Sequence, residues 1–232
     1  MFLCSFSSPA RVVMGIFRNR VSTLEKLNGF RAEYNVPNDV YLRLGPPLDR
    51  SETPVFDQGT QEMPFALSSI IEGGIRFPLH PLIRECLHFW ELAPTQLNTN
   101  AYKVLSGSLR LNQLCDVEIG LAEIEECHTV SKASRVANSY YLRSIAGKSG
   151  LVNGLESSLK HTEGDFLWVS GNWEYGEGPN RQYSVPRALG RPIRNVLSIL
   201  FKFRIQCVSV SSFNDLFSLF CSSAAPSSDT KA

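Results

Sequence analysis

A chain of 232 residues, of which 43% are hydrophobic and 19% charged, can bury a globular core, and this composition excludes an intrinsically disordered protein. The formal net charge of +1 excludes a global field that would draw the whole protein onto nucleic acid or a membrane, so any such attraction must be local. The best apolar stretch, 196–210, is interrupted by Lys202 and Arg204, which argues against a transmembrane protein.

The first 20 residues are predicted to form a flexible N-terminal arm. They contain no acidic side chain, and they carry several serines together with Arg11, Arg18 and Arg20. This composition also resembles that of an organellar transit peptide, and we favour the simpler interpretation of an arm.

Residues 21–44 are predicted to form a small helical module. Ser22 precedes Glu25 by three residues, which is the spacing of a capping box at the start of a helix. Proline and glycine are frequent in residues 45–61, so this stretch is predicted to be a linker to the main domain.

The main domain is predicted over residues 62–175, and it begins with helices separated by rigid turns. Gly73 and Gly74 end the first helix, because glycine readily adopts the left-handed conformation found at helix C-termini. Prolines flank His80, and Pro81 suits the first turn of a helix, where the N–H that proline lacks would be unpaired. The predicted helices are 62–72, 80–92, 95–115 and 117–128.

The second of these helices is predicted to bury a wide apolar stripe. Its apolar residues recur at helical spacing, which places them on one face. The stripe comprises Leu82, Ile83, Cys86, Leu87, Phe89 and Trp90. Pro94 then ends this helix and begins the next.

Two later segments, 137–144 and 165–170, are rich in aromatic and extended-favouring residues and are predicted to be strands. We expect the two to pair with each other as a small antiparallel sheet. The predicted fold is therefore α+β and mainly α-helical, with a helical core, a small antiparallel sheet and disordered termini.

Residues 176–232 are predicted to be a basic loop followed by an apolar, serine-rich tail that is poorly ordered. Positive charge attracts phosphate and aromatic rings stack on bases, so the basic part is a candidate for contact with RNA or DNA. The default interpretation is a solvated arm. The candidate residues are Arg181, Arg187, Arg191, Arg194, Lys202 and Arg204.

An acidic group lies in the last predicted helix and has two interpretations. A cluster of like charges is typical of a solvated helix face. The functional interpretation is a docking surface for a basic partner. The group consists of Asp116, Glu118, Glu123, Glu125 and Glu126.

No motif in the chain predicts a catalytic, cofactor-binding or metal-binding residue. Residues 146–150 resemble half of a phosphate-binding loop, but Leu142 stands where such a loop requires glycine, which favours a polar turn. His80 is interpreted as a hydrogen-bonded structural residue rather than a ligand or a base. The six cysteines show no zinc-ligand spacing, so reduced thiols and an intracellular protein of the cytoplasm or nucleus, not a secreted one, are expected.

The stretch 74–107, which reads GIRFPLHPLIRECLHFWELAPTQLNTNAYKVLSG, resembles the plant gypsy-type transposon domain, a retrotransposon Gag-like family of plant transposon proteins. The segments FRAEYNVPNDV at 30–40, YYLR at 140–143 and FLWVSGNW at 166–173 agree with it in the family's order. The similarity covers roughly residues 25 to 190. The motif residues to which it gives structural roles are Gly74, Pro78, His80, Pro81, Pro94, Gln96, Leu97, Trp168, Gly171 and Trp173.

The resemblance implies a non-enzymatic structural or interaction domain with a Gag-like role in a truncated plant retrotransposon-derived protein. It implies no cofactor and no catalytic residue. We expect a homo-oligomer in which the acidic helix of one copy meets the basic arm of another, with assembly weakened by salt. The alternative is a nucleic-acid-binding or transposition-associated protein that uses residues 181–204, and a hydrolase or nuclease has the least support.

Overall fold

The computed structural model describes residues 16–46, 53–134, 136–148, 150–152, 154–155, 165–177, 179 and 181–192. The helices are α1 (Leu24–Glu33), α2 (Leu67–Ile71), α3 (Pro81–Phe89), α4 (Thr99–Cys115) and α5 (Leu121–Cys127), with 3-10 helices at Arg18–Val21 and Pro94–Gln96. The strands are β1 (Val40–Leu44), β2 (Met63–Ala66), β3 (His128–Lys132), β4 (Tyr140–Ser144) and β5 (Phe166–Gly171). The predicted combination of helices with small antiparallel sheets is confirmed.

One antiparallel sheet has the strand order β1–β5–β2, with β5 in the centre. Leu167 of β5 lies opposite Leu44 of β1 and Phe65 of β2, so these side chains share one side of the sheet. Leu167 and Phe65 are 0% and 1% exposed, which identifies this side as the one that faces the core. The central strand is therefore held from both edges by apolar contacts.

The strands β3 and β4 form a separate antiparallel hairpin. The predicted pairing of 137–144 with 165–170 is wrong, because β4 pairs with β3 while β5 lies between β1 and β2. Alternation within a strand shows which of its sides is buried, but it carries little information about which strand lies beside it.

The segment 21–44, predicted as a separate helical module, shares its core and a sheet with the main domain. Its strand β1 is hydrogen-bonded to β5. Phe30 and Val40, which are 2% and 0% exposed, belong to the same apolar cluster as the main helices. Residues 47–52 of the predicted linker lie outside the described residues.

The N-terminal 3-10 helix is attached beside β5. The backbone N–H groups of Phe17 and Arg18 donate to the Asp165 carboxylate at 3.2 and 2.8 Å. A carboxylate suits this position, because the first N–H groups of a helix have no partner within it. Residues 1–15 of the predicted arm lie outside the described residues.

The described helix ends follow local capping, with small shifts from the predicted bounds. The hydroxyl of Thr23, one residue after the predicted cap, accepts from the Lys26 N–H at 3.2 Å and begins α1. Residues 62–72, predicted as one helix, form β2 and then the short helix α2, because Met63–Ala66 pair with β5.

Helix α4 forms the centre of the helical layer. Tyr102 is 0% exposed, and its hydroxyl donates to the Pro94 carbonyl oxygen at 2.8 Å. Ser106 donates to the Gly73 carbonyl oxygen at 2.8 Å. Gly74 has φ +79°, and a Cβ at this residue would crowd Ser106, so glycine is required where the chain turns toward α3.

The helix α4 has 17 residues, and polar Asn100, Lys103 and Arg110 interrupt its apolar positions. None of the helices in the part of the chain that the structure describes is both long enough and apolar enough to cross a membrane.

Candidate interaction surface

Helix α3 carries the candidate surface, and His80 and Pro81 fix its start. The Nδ1 atom of His80 accepts a hydrogen bond from the Leu82 N–H at 3.2 Å, so His80 is the N-cap of the helix. Pro81 occupies the first helical position, where no N–H is needed. These two motif residues set where α3 begins.

The burial of α3 differs from the predicted stripe at two positions. Phe89, predicted to be buried, lies in the last turn of α3 and is 44% exposed. Arg84, in contrast, is 2% exposed, and its Nη1 atom donates to the Glu174 carbonyl oxygen at 2.9 Å. Its guanidinium also lies 4.7 Å from the centre of the Tyr175 ring, a cation–π contact.

The chain returns to α3 through residues 181–192, which we call the strap. Val185 in the strap is 1% exposed, and its N–H donates to Oε1 of Glu174 at 2.6 Å. The carbonyl oxygen of Ser184 accepts from Nδ1 of His88 at 2.9 Å. The strap, predicted as part of a poorly ordered tail, therefore has specific contacts with the fold. Residues 193–232 of that tail lie outside the described residues.

Gln96 ties the far end of the strap to the core. Its side chain is 0% exposed. Its Oε1 atom accepts from the N–H groups of Ala93 and Gly190 at 3.0 and 2.8 Å, and its Nε2 atom donates to the Gly190 carbonyl oxygen at 3.0 Å. A Cβ at position 190 would overlap the Glu91 carbonyl oxygen, so only glycine allows this approach.

An ion pair and contacts with two aromatic side chains hold the middle of the strap. The Nη2 atom of Arg187 lies 2.5 Å from Oε2 of Glu174, whose side chain is only 7% exposed. The Arg187 guanidinium also lies 4.7 Å from the ring centre of Trp173 and 5.2 Å from that of Phe56. Because Glu174 is buried, its negative charge would destabilise the fold if it had no partner, and Arg187 compensates it.

Three rings meet between α3 and the strap, and we call them the aromatic face: His88, Phe89 and Tyr183. The ring centres lie 5.7 Å apart for His88 and Phe89, 5.8 Å for His88 and Tyr183, and 5.7 Å for Phe89 and Tyr183. Phe89 and His88 are exposed, and Tyr183 is half-buried. Since each ring contacts the other two, the face is a fixed aromatic surface open to solvent.

Charged side chains of both signs occur in the two segments that carry the aromatic face. Arg181 is exposed, and its guanidinium lies 5.8 Å from the Tyr175 ring centre. Exposed Glu91 follows Phe89 by two residues, and its carbonyl oxygen lies at the close approach of Gly190, the residue before exposed Arg191. Glu85 accepts a hydrogen bond from Tyr183, and its pKa is raised mainly by burial and further by the negative charge of Glu123.

The six predicted nucleic-acid residues have different positions. The structure brings Arg181 and Arg187 to the neighbouring aromatic side chains of Tyr175 and Trp173. Arg187 is engaged by Glu174, whereas Arg181 and Arg191 are exposed. The other three lie outside the described residues; they are Arg194, Lys202 and Arg204.

The acidic group of the predicted docking helix is largely engaged within the fold. Glu123 accepts from the Gly120 N–H at 2.8 Å, which closes the start of α5. Glu125 accepts from Nε1 of Trp90 at 3.1 Å and joins α5 to α3. Glu126 pairs with Lys148, which belongs to the segment that resembles a phosphate-binding loop.

The remaining motif residues have structural positions. Trp173 is 3% exposed and packs edge-on against Phe65, with ring centres 5.3 Å apart. Gly171 has φ +79° at the end of β5, and Leu97 forms a bridge to β4. Pro78 contacts Gly176, and Trp168 lies beside Gly45 on the outer side of the sheet.

Stability is expected to fall as the pH drops below about 6.5, the ordinary pKa of histidine. Burial lowers the pKa of His128, and the partial desolvation of the exposed His80, together with the positive charge of Arg84, lowers the pKa of His80. The unfolded chain then binds more protons than the folded one, so this stability is complete above about pH 6.5 and is lost as the pH falls through the folded pKa values.

His80→Asn tests this pH dependence, because asparagine can still cap α3 and does not titrate. We expect urea unfolding to show a smaller loss of free energy between about pH 7.5 and about pH 5.5 in the variant than in the wild type. The carboxylates titrate in both proteins, so their contributions to the pH dependence of the unfolding free energy cancel in this comparison. An equal loss in both proteins would contradict the assignment to His80.

Sequence reasoning did not single out Glu174, Glu85 or Val185. A carboxylate between two aromatic residues, as in Trp173-Glu174-Tyr175, is the available signal for a buried acid that needs a basic partner. Nothing in the local sequence indicates that this partner is Arg187, which lies 13 residues further along the chain.

Comparison with known proteins gave no match among family models, curated proteins or solved structures. The resemblance to the plant gypsy-type transposon family therefore stays a prediction.

Proposed function

We propose that this chain is a non-enzymatic interaction domain, of the Gag-like kind that the sequence resembles, and that it self-associates through the aromatic face. The observation that carries the proposal is the exposure of Phe89, 44%, within a set of rings fixed by mutual contact. Aromatic side chains are enriched at the centres of protein interfaces, where they bury much area at low entropic cost.

The charge distribution around the aromatic face supports a second copy of the chain as the partner. In a twofold-symmetric interface the same patch meets itself, so a self-complementary patch needs charges of both signs. Glu85 accepts a hydrogen bond from Tyr183 of the aromatic face, and the segments that carry the face also carry the exposed basic residues Arg181 and Arg191 and the exposed acidic residue Glu91. Each copy can therefore offer a cation where the other offers a carboxylate.

Phe89→Ser tests the interface. We expect the wild type to form dimers in sedimentation velocity at high protein concentration, and the variant to weaken the association at least about tenfold, which corresponds to about 1.4 kcal/mol. Leu114→Ser is the matched control, because Leu114 is 49% exposed on another helix and is not part of the aromatic face. A wild type that stays monomeric, or an equal effect of both substitutions, would overturn the proposal.

Salt is a second test of the same interface. Raising the salt concentration from about 0.1 M to about 1 M shortens the Debye length from about 10 Å to about 3 Å, and this weakens pairing between Arg181 or Arg191 and the carboxylates. The dimer is expected to weaken with salt, and a dimer that tightens instead would exclude a charged border.

Binding of single-stranded nucleic acid is the second candidate function. The observation in its favour is that exposed Arg181 lies 5.8 Å from the ring centre of Tyr175, and bases stack on aromatic side chains. The test is the affinity for single-stranded RNA over a salt series, in the wild type and in Arg181→Ala with Arg191→Ala. A logarithm of affinity that falls linearly with the logarithm of salt, and a smaller slope in the double variant, would favour this function.

A further inference from the structure

Ser184 lies in the strap between the aromatic face and a buried anchor. Its carbonyl oxygen accepts from His88 at 2.9 Å, and the next residue, Val185, is 1% exposed. Ser184 itself is exposed, and among the described residues its hydroxyl has no hydrogen-bond partner. The fold thus presents a solvent-facing hydroxyl next to Tyr183.

The residues around Ser184 match the pattern that arginine-directed protein kinases recognise. Arg181 stands three residues before Ser184 and is exposed, so its guanidinium is available to carboxylates in a kinase substrate groove. Pro186, two residues after Ser184, restricts the backbone that follows. A kinase binds such a segment in extended form, so it engages Ser184 when the strap opens locally.

The same spacing occurs at Thr23, and there the structure occupies both groups. Arg20 stands three residues before Thr23, but its Nη2 atom lies 2.7 and 2.8 Å from the two carboxylate oxygens of Glu33. The Thr23 hydroxyl caps α1 by accepting from the Lys26 N–H at 3.2 Å. Ser184 differs from Thr23 in both respects. Among the described residues, Arg181 has no carboxylate partner and the Ser184 hydroxyl has no hydrogen-bond partner, and both residues are exposed.

We propose that Ser184 is a phosphorylation site for an arginine-directed protein kinase and that the phosphate weakens self-association; the second part rests on the proposed function. In the reaction the Ser184 Oγ attacks the γ-phosphorus of magnesium ATP and forms the new O–P bond. The bond from the γ-phosphorus to the β,γ-bridging oxygen breaks, ADP leaves, and the hydroxyl proton passes to a carboxylate of the kinase.

The added phosphate changes the charge of the interface. It carries about −1.5 to −2 charges at neutral pH, next to the aromatic face and close in sequence to Tyr183, which donates to Glu85. In a twofold interface each copy brings the same addition, so two phosphates and the existing carboxylates meet across the symmetry axis. Like-charge repulsion and the cost of desolvating the phosphates then oppose association.

The site is tested on the full chain with magnesium ATP and the catalytic subunit of cyclic-AMP-dependent protein kinase. Mass spectrometry is expected to find phosphate on Ser184 of the wild type and none at this position in Ser184→Ala. The initial rate of Ser184 phosphorylation is expected to be at least tenfold lower in Arg181→Ala than in the wild type. The same rate is expected to be unchanged in Thr23→Ala. Unmodified Ser184 in the wild type, or a rate that does not depend on Arg181, would overturn the inference.

The effect on association is tested separately by sedimentation of the phosphorylated wild type against kinase-treated Ser184→Ala. We expect the dissociation constant of the dimer to rise at least tenfold on phosphorylation and to stay constant in the variant. A dimer unaffected by the phosphate overturns the regulatory part. A chain that is phosphorylated on Ser184 but never self-associates overturns the proposed function and the regulatory part together, and supports the site itself.

Discussion

Replacement of Gln96 by leucine is expected to destabilise the fold by about 3 kcal/mol, since each buried polar group left without a partner costs about 1–3 kcal/mol. Leucine has a similar volume but cannot hydrogen-bond. The substitution removes the acceptor for the N–H groups of Ala93 and Gly190 and the donor to the Gly190 carbonyl oxygen. The measurement is the free energy of unfolding from a urea titration monitored by tryptophan fluorescence.

Gln113→Leu is the matched control for this experiment. Gln113 is an exposed residue of α4, and its side chain accepts from Arg110 at 3.2 Å at the surface. The control is expected to change stability by no more than about 0.5 kcal/mol. If Gln96→Leu were as mild as Gln113→Leu, the amide of Gln96 would not hold the strap.

Arg187→Ala is the second substitution for which we expect a large effect, a loss of about 2–4 kcal/mol. Breaking a fully buried ion pair by removing one partner costs about 3–5 kcal/mol. Glu174 is 7% exposed, but the Arg187 side chain is 37% exposed, so water screens part of the interaction. The cation–π contact with Trp173 is lost as well.

Two comparisons make this prediction specific. Arg191→Ala removes an equal charge from the strap at an exposed position, and it is expected to cost no more than about 0.5 kcal/mol. Glu174→Gln combined with Arg187→Ala is expected to recover part of the loss, because the remaining amide is neutral and its oxygen can still accept from Val185. Equal losses in Arg187→Ala and Arg191→Ala would refute the role of the ion pair.

The sequence predicts the helices well where their ends are determined by neighbouring residues. The helix predicted to begin at the capping box of Ser22 is observed as Leu24–Glu33 and the predicted helix 80–92 as Pro81–Phe89, because capping side chains and prolines act within one turn. The predicted helix 95–115 is divided, since Leu97 forms a bridge to Tyr140 between the 3-10 helix and α4.

Strand pairing and the strap could not be predicted in the same way. The contacts that fix them join residues far apart in the chain, such as Gln96 and Gly190, which are 94 residues apart. Hydrophobic periodicity places Phe89 on the buried stripe, whereas tertiary packing exposes it and buries Arg84 instead. The aromatic face depends on these same contacts, so the sequence suggested the neighbouring basic residues but not that the three rings come together.

The strand order β1–β5–β2 has a consequence for how the protein is made. The central strand β5 is the last of the three in the sequence, so β1 and β2 emerge from the ribosome first. About 100 residues separate the end of β2 from the start of β5, which corresponds to roughly 5–20 s of synthesis at about 5–20 residues per second. During that time neither of the two early strands can pair with β5, so Met63 and Phe65, which are buried in the folded protein, lack the strand that lies beside them there. The sheet closes only when β5 has emerged.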